Sequence, residues 1–272
     1  MYYINIQSEL AQLSLQLQSI HVTDAHQCII RKTSAMTHWQ DIVEYLESMI
    51  AEERLWIELD DLNGVDIYIL MDQEIIYKNL CLEITYLLRL GYDLGIDRSE
   101  RIELYHRVLN LWFGYADLLC AIQVQGKMQG IAALILDVDY AVALLLMTCA
   151  IAYDDTESVV KIVDGLLHYQ SDRLLDILSY PYFENATISD EYRVNDPYQD
   201  LDSILNTANQ HTISAYLSKI SHDQDNGQYF EKKKFHKLMV LGQWSFEIYA
   251  LVAVYQLDAQ LFKGFKSYPY EF

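Results

Sequence analysis

Apolar residues recur at intervals of three and four along most of this sequence. Trp39, Ile42, Val43, Leu46, Met49 and Ile50 form one such run, and at 3.6 residues per turn they fall on a single stripe, the mark of a helix that buries one face. The strict alternation of a half-buried strand is hard to find. The pattern predicts helices over 4–20, 36–59, 67–94, 98–124, 131–153, 155–169, 171–180, 198–220 and 232–257. Residues that favour helix N-caps stand where several of these begin: Asp97 or Ser99 with Glu100 at one start, Ser171 with Asp172 at another. The expected fold is all-α, a multi-helix bundle.

Two interruptions organise the chain. VQGKMQG at 124–130 places two glycines between a helix ending near Ile122 and the apolar run from Ile131. It predicts an N-terminal helical domain over 1–126 and a second over 127–272, two closely packed helical subdomains. SYPYFENATISDEYRVNDPY at 179–198 holds two of the three prolines and many turn formers, so it predicts a long loop. The run IAALILDVDYAVALLLMTCAIA at 131–152 approaches the length of a membrane span. Asp137 and Asp139 lie inside it, Asp154, Asp155 and Glu157 follow, and no basic flank sets an orientation, so it reads as a buried core helix.

Composition agrees with a helical globule and adds a compartment. Three prolines and ten glycines in 272 residues leave little punctuation for a many-stranded sheet, and 52% hydrophobic residues supply a sizeable core. Cysteines at 28, 81, 120 and 149 form no CxxC pair, which suits reduced thiols, and the opening MYYINIQSELAQ has neither a basic start nor a continuous apolar run. A cytoplasmic protein is the expectation.

Charge narrows the partners. Asp and Glu number 39 against 19 Lys and Arg, a net charge of −20. The excess is even: 19 acids and 9 bases in residues 1–130, 20 and 10 in 131–272. Binding to a phosphate backbone needs a basic footprint, so direct contact with nucleic acid is not expected. A basic protein would be drawn in at long range, which raises association rate more than affinity. The 22 tyrosines suit an interface, although most must serve the core.

Candidate chemistry is sparse. Arg101 and His106, five apart on a helix, resemble the spacing of helical HEPN ribonucleases, but Glu100 and Glu103 flank them and would repel RNA. Glu103 and His106 make half of a di-iron bundle motif with no second copy. His21, Asp24 and His26 do not share one helix face as metal ligands would. Phosphate loops, nucleophile elbows and metalloprotease motifs are missing. The expectation is no enzyme, no metal and no cofactor, with a helical ribonuclease or a helical scaffold as the alternatives.

The C-terminal half carries a recognisable order of short motifs. Asp172-Arg-Leu-Leu-Asp-Ile-Leu178 comes first, then Gln243-Trp-Ser-Phe-Glu-Ile248, then Leu257-Asp258, then the closing Tyr268-Pro-Tyr-Glu-Phe272. This series resembles the polymorphic nuclease effector (PoNe) immunity family, whose members have a DR-type helix, a WSFE helix and a YPYDL-like end. The resemblance is good from about residue 131 and diffuse before it. Leu241-Gly242-Gln243 replaces the usual aromatic and glycine before the tryptophan, and Glu271 stands where aspartate is common.

The resemblance implies an antitoxin that binds and inhibits a cognate secreted DNase of the PD-(D/E)xK type, delivered by a bacterial secretion system, and so protects producing and sister cells. A homodimer stays open. Asp172, Arg173, Trp244, Phe246, Glu247, Tyr268, Pro269 and Tyr270 are the structural family motif, with Trp244 and Phe246 as packing residues and Arg173 with Glu247 as a partly buried ion pair. Partner contacts are sought among loop and helix-end acids: Asp154, Asp155 and Glu157 at one helix junction, and Glu184, Asp190, Glu191 and Asp196 in the long loop. Each of these acids also suits a plain solvated turn.

Overall fold

A computed structural model describes residues 6–20, 32–51, 65–126, 130–194, 198–225, 244–270 and 272. The chain divides into two compact units, Met1–Ala133 and Leu134–Phe272, and among the described residues all regular structure is helical. Residues 21–31, 52–64 and 226–243 lie outside the description, and with them His21, Asp24, His26, Cys28 and the first part of the helix predicted at 232–257.

Among the described residues the first unit holds four long helices: α1 (Ile6–Ser19), α2 (Lys32–Ala51), α3 (Ile67–Asp93) and α4 (Arg98–Gly126). α3 packs along α4, α2 lies on α3, and α1 touches both α2 and α4. Each helix turns its apolar stripe inward; on α3 the buried positions Leu70, Tyr77, Leu80, Ile84 and Leu87 follow the helical period. Asp66 opens α3, its carboxylate accepting Tyr68 N–H at 2.8 Å. Gly95 closes it at φ +69, letting Ile96 N–H reach back to Gly91 O at 3.0 Å before α4 begins. Inside, fully buried Trp112 donates to Thr85 Oγ1 at 2.9 Å and meets Tyr115 edge-on, and Tyr115 stacks on Tyr77.

The second unit surrounds one apolar helix, α5 (Leu136–Ala152), in which every residue from Asp139 to Ala152 is buried. It begins five residues later than the periodicity predicts. Asp139 Oδ2 accepts Ile135 N–H at 3.1 Å, and Gln170 holds the preceding segment, donating to Leu134 O at 2.6 Å and accepting Leu136 N–H at 3.2 Å. Asp137 and Asp139 thus occupy the first turn, where the helix dipole favours negative charge. Among the described residues no helix is long and apolar enough to cross a membrane.

Past α5 the helices shorten. α6 (Thr156–Lys161) widens into a π-helical turn, Ile162–Leu167, where the pattern predicts one continuous helix to 169. α7 (Arg173–Ser179) leads into a 3-10 turn, Tyr180–Tyr182, and then into the predicted long loop. The helix predicted at 198–220 is three pieces: a 3-10 turn at Tyr198–Leu201, α8 (Asp202–Asn206) and α9 (Gln210–Asp225). The break is chemical, because Asn209 Oδ1 accepts from His211 N–H and Thr212 N–H and so caps a new helix.

α10 (Phe246–Val254) packs on α5 and α7, and a 3-10 turn at Ala259–Phe262 follows. Ser245 N–H pairs with Ser267 O at 2.8 Å, which ties the start of α10 to the chain end. Phe272 is buried against Phe246, Tyr153 and Tyr249, and Tyr268 against Phe262. Cys81 and Cys149 are buried, Cys120 is exposed, and none of the three is bridged.

Candidate partner interface

The N-terminus of α7 organises the surface that follows it. Asp172 is wholly buried, and its carboxylate accepts Leu175 N–H at 3.1 Å, Arg193 N–H at 2.8 Å and the Tyr140 hydroxyl at 2.9 Å. It therefore caps α7, anchors the far end of the long loop and fixes both to α5. One turn on, Asp176 Oδ2 accepts Ser189 N–H at 2.8 Å. Arg173 supplies a third tie: its backbone N–H donates to Glu191 O at 2.9 Å, and its guanidinium reaches Ser189 O, Asp190, Asn206 Oδ1 and Asp202.

Residues 183–194 have no regular structure, yet their backbone is pinned at Ser189, Glu191 and Arg193 by consecutive turns of one short helix. Tyr192 adds a bond to Asp202 at 2.6 Å; burial, then that hydrogen bond, pushes its hydroxyl well above the usual tyrosine range. The ion pair suggested between Arg173 and Glu247 is not formed. Arg173 pairs with Asp190 at 3.3 Å and Asp202 at 3.4 Å, because the loop and the start of α8 bring those acids to the helix start, while Glu247 is buried in α10 and its Oε1 has no partner among the described residues.

The suggested contact acids fall into distinct situations. Asp155 caps α6, accepting Ser158 N–H at 3.1 Å and the Ser158 hydroxyl at 2.5 Å. Glu157 pairs with Lys161 at 2.5 Å on the same exposed helix face. Asp154 is exposed at φ +58, and beside it the Tyr182 hydroxyl is raised by burial and then by the Asp154 charge. Glu184 and Glu191 are exposed, Asp190 is fully exposed but engaged by Arg173, and Asp196 lies outside the described residues. Of the remaining motif residues, Trp244, Phe246, Tyr268 and Pro269 are buried and Tyr270 is half-buried.

Between the π-turn, α7 and the loop lies a pocket of about 390 Å³. Val163, Leu167, Leu175 and Phe183 give it apolar walls; Asp176 and Glu184 contribute carboxyl groups. Gln170 forms part of one wall but is already committed to Leu134 and Leu167. Tyr169 stands at the rim, exposed. It and His168 hold consecutive left-handed conformations, φ +57 and +47, after the π-turn. Non-glycine residues in that region, like π-turns, cost energy and cluster at functional positions. Of the lining residues only Glu184 is among the partner-contact acids suggested by the sequence. Asp176 falls on the same side of α7 as Asp172, four residues earlier, a spacing that could have flagged both as loop anchors.

The residues considered for other chemistry do not converge. Arg101 is buried, its guanidinium 5.1 Å from the Tyr92 ring centre, whereas His106 sits on the exposed side of α4. Among the described residues no group of three or more His, Cys, Asp or Glu is placed to hold a metal ion.

Residues 170–272 match the family model of PoNe immunity proteins (PoNi), C-terminal. The matched segment begins just before Asp172 and takes in α7, the pinned loop, α10 and the aromatic chain end. No curated protein matches the chain. Among solved structures, the crystal structure of protein PA2201 from Pseudomonas aeruginosa is similar, with a TM-score of 0.79 at 18% identity over 97% of this chain and 93% of that one. At that identity the likeness speaks to the fold.

Proposed function

Proceeding from the match over residues 170–272, we propose that this chain is an immunity protein that binds and blocks a nuclease toxin in the cytoplasm. That match is the observation that carries the reading. Two features support it. The net charge of −20 suits a cationic nuclease, whose DNA-binding surface must itself be basic, and long-range attraction would speed its capture. The pinned part of the loop offers exposed Glu191 on a backbone already fixed, so little conformational entropy is lost there when a partner is met, and exposed Glu184 lies earlier in the same loop.

Inhibition in this reading is stoichiometric. Carboxylates and aromatic side chains of the second unit cover the surface through which the nuclease reaches DNA, and the chain performs no reaction of its own. The test is protection: the nuclease domain encoded beside this gene is expressed in bacteria with and without this chain, and survival and chromosomal integrity are followed. Rescue with co-purification of the two proteins is the expected outcome. Persistent DNA damage with both proteins soluble and well expressed would remove the reading.

A further inference from the structure

We propose that the pocket between the π-turn, α7 and the loop is a socket for one arginine or lysine side chain carried by the partner. The assignment deepens the immunity reading and rests on it for the partner's identity. It begins from the pocket's chemistry. Leu167, Leu175 and Phe183 form apolar walls of the kind that accept an aliphatic stem, while Asp176 and Glu184 supply anionic groups, and among the described residues no lysine or arginine lines the cavity. The two nearby arginines are spent elsewhere: Arg173 on Asp190 and Asp202, Arg193 on Ser171 O and Asp137.

Complementarity decides the occupant. An anion would meet two carboxylates with no counter-charge among the described lining residues, and a purely apolar group would desolvate Asp176 without pairing it, which is costly. A cation on an aliphatic stem satisfies both parts of the wall. Asp176 gives one oxygen to Ser189 N–H, and a carboxylate has lone pairs enough for further donors. Burial first of all pushes the Asp176 carboxyl above the usual range, with the Asp172 charge adding to it, so a cation at this point relieves a penalty already present in the free protein. Tyr169 is placed at the rim by the strained His168–Tyr169 pair, where its ring suits a cation–π contact.

Two measurements on the full-length chain test this. In the first, N-acetyl-arginine amide is titrated against the methyl resonances of Val163, Leu167 and Leu175. Saturable shifts that vanish in Asp176→Asn with Glu184→Gln, and that N-acetyl-norleucine amide does not produce, are expected. No shifts, or equal shifts with the norleucine compound, would overturn the socket.

In the second, affinity for the nuclease encoded beside the gene is measured. Asp176→Asn is expected to weaken it about thirtyfold, the scale for truncating one partner of a desolvated charge pair, without lowering thermal stability, since asparagine still accepts Ser189 N–H. Unchanged affinity in both Asp176→Asn and the exposed-loop variant Glu184→Gln would overturn the socket and leave the immunity reading standing. Should wild type fail to bind that nuclease, the immunity reading falls, and the amide titration decides the socket by itself. If Asp176→Asn does not fold, Glu184→Gln carries the affinity test.

Discussion

The two units of this chain reach order by different means. The first, in its described residues, is built of long helices whose buried faces interlock, with polar contacts such as Trp112 to Thr85 as additions to an apolar interior. The second wraps one apolar helix in short helices, a π-turn, 3-10 turns and an irregular loop, and much of that irregular part is held by side chains bonding to backbone. Regular helices satisfy their own amides, so packing alone can stabilise the first unit. A loop cannot, and its buried polar groups need named partners. Asp172, Asp176, Arg173 and Gln170 are those partners, and the irregular surface they support is the one on which the proposed partner contacts lie.

Substitutions can break or sharpen that contrast. The largest effect is expected from Trp112→Ala in the first unit: about 4 kcal/mol lost through a cavity in a closely packed interior, read from a shifted denaturation midpoint. Asp172→Ala in the second should cost about 3 kcal/mol, because three donors, two of them buried, lose their acceptor together. Its signature differs as well. Amide hydrogen exchange should accelerate at Leu175 and Arg193 and through the loop, with the amides of α3 and α4 unchanged. Uniform acceleration across both units would erase the distinction.

Arg173→Lys is milder, about 1 kcal/mol, since a lysine keeps the charge beside Asp190 and Asp202 but cannot span Ser189 O and Asn206 at once. The smallest effect concerns pH. Burial raises the Asp176 carboxyl above its ordinary value, so the folded chain holds that proton more tightly than the unfolded one. Its contribution to stability is full below the unfolded value of 3.8 and is lost as pH rises through the folded value. Asp176→Asn should therefore gain stability relative to wild type between acidic and neutral pH, seen as a widening difference in Tm. A difference that stays flat would argue that Asp176 is not desolvated.

The contrast also explains what the sequence discloses. Long amphipathic stripes reveal the helices of the first unit because their cause is periodic: Trp39, Ile42, Leu46 and Met49 are buried, and of the same predicted stripe Val43 is half-buried and Ile50 exposed. In the second unit the cause is individual hydrogen bonds. Asp172 before Arg173 is visible as a cap, but nothing in the spacing of 155–169 distinguishes a π-turn from an α-helix, and the periodicity runs through Asn209 as if it did not cap. The suggested Arg173–Glu247 pair fails for the same reason: two opposite charges in family motifs carry no distance, and the loop acids are nearer. Asp176 and Tyr169 lay hidden because a pocket is a property of three segments folded together.

The most direct test of the central claim is a titration of DNA cleavage. The nuclease domain encoded beside this gene is held at fixed concentration, well above its dissociation constant for the chain, and the purified chain is added. The account predicts a linear fall in cleavage that reaches its floor at one chain per nuclease, with the floor displaced to higher ratios by Asp176→Asn. Cleavage that continues undiminished at a large excess of folded chain would contradict it.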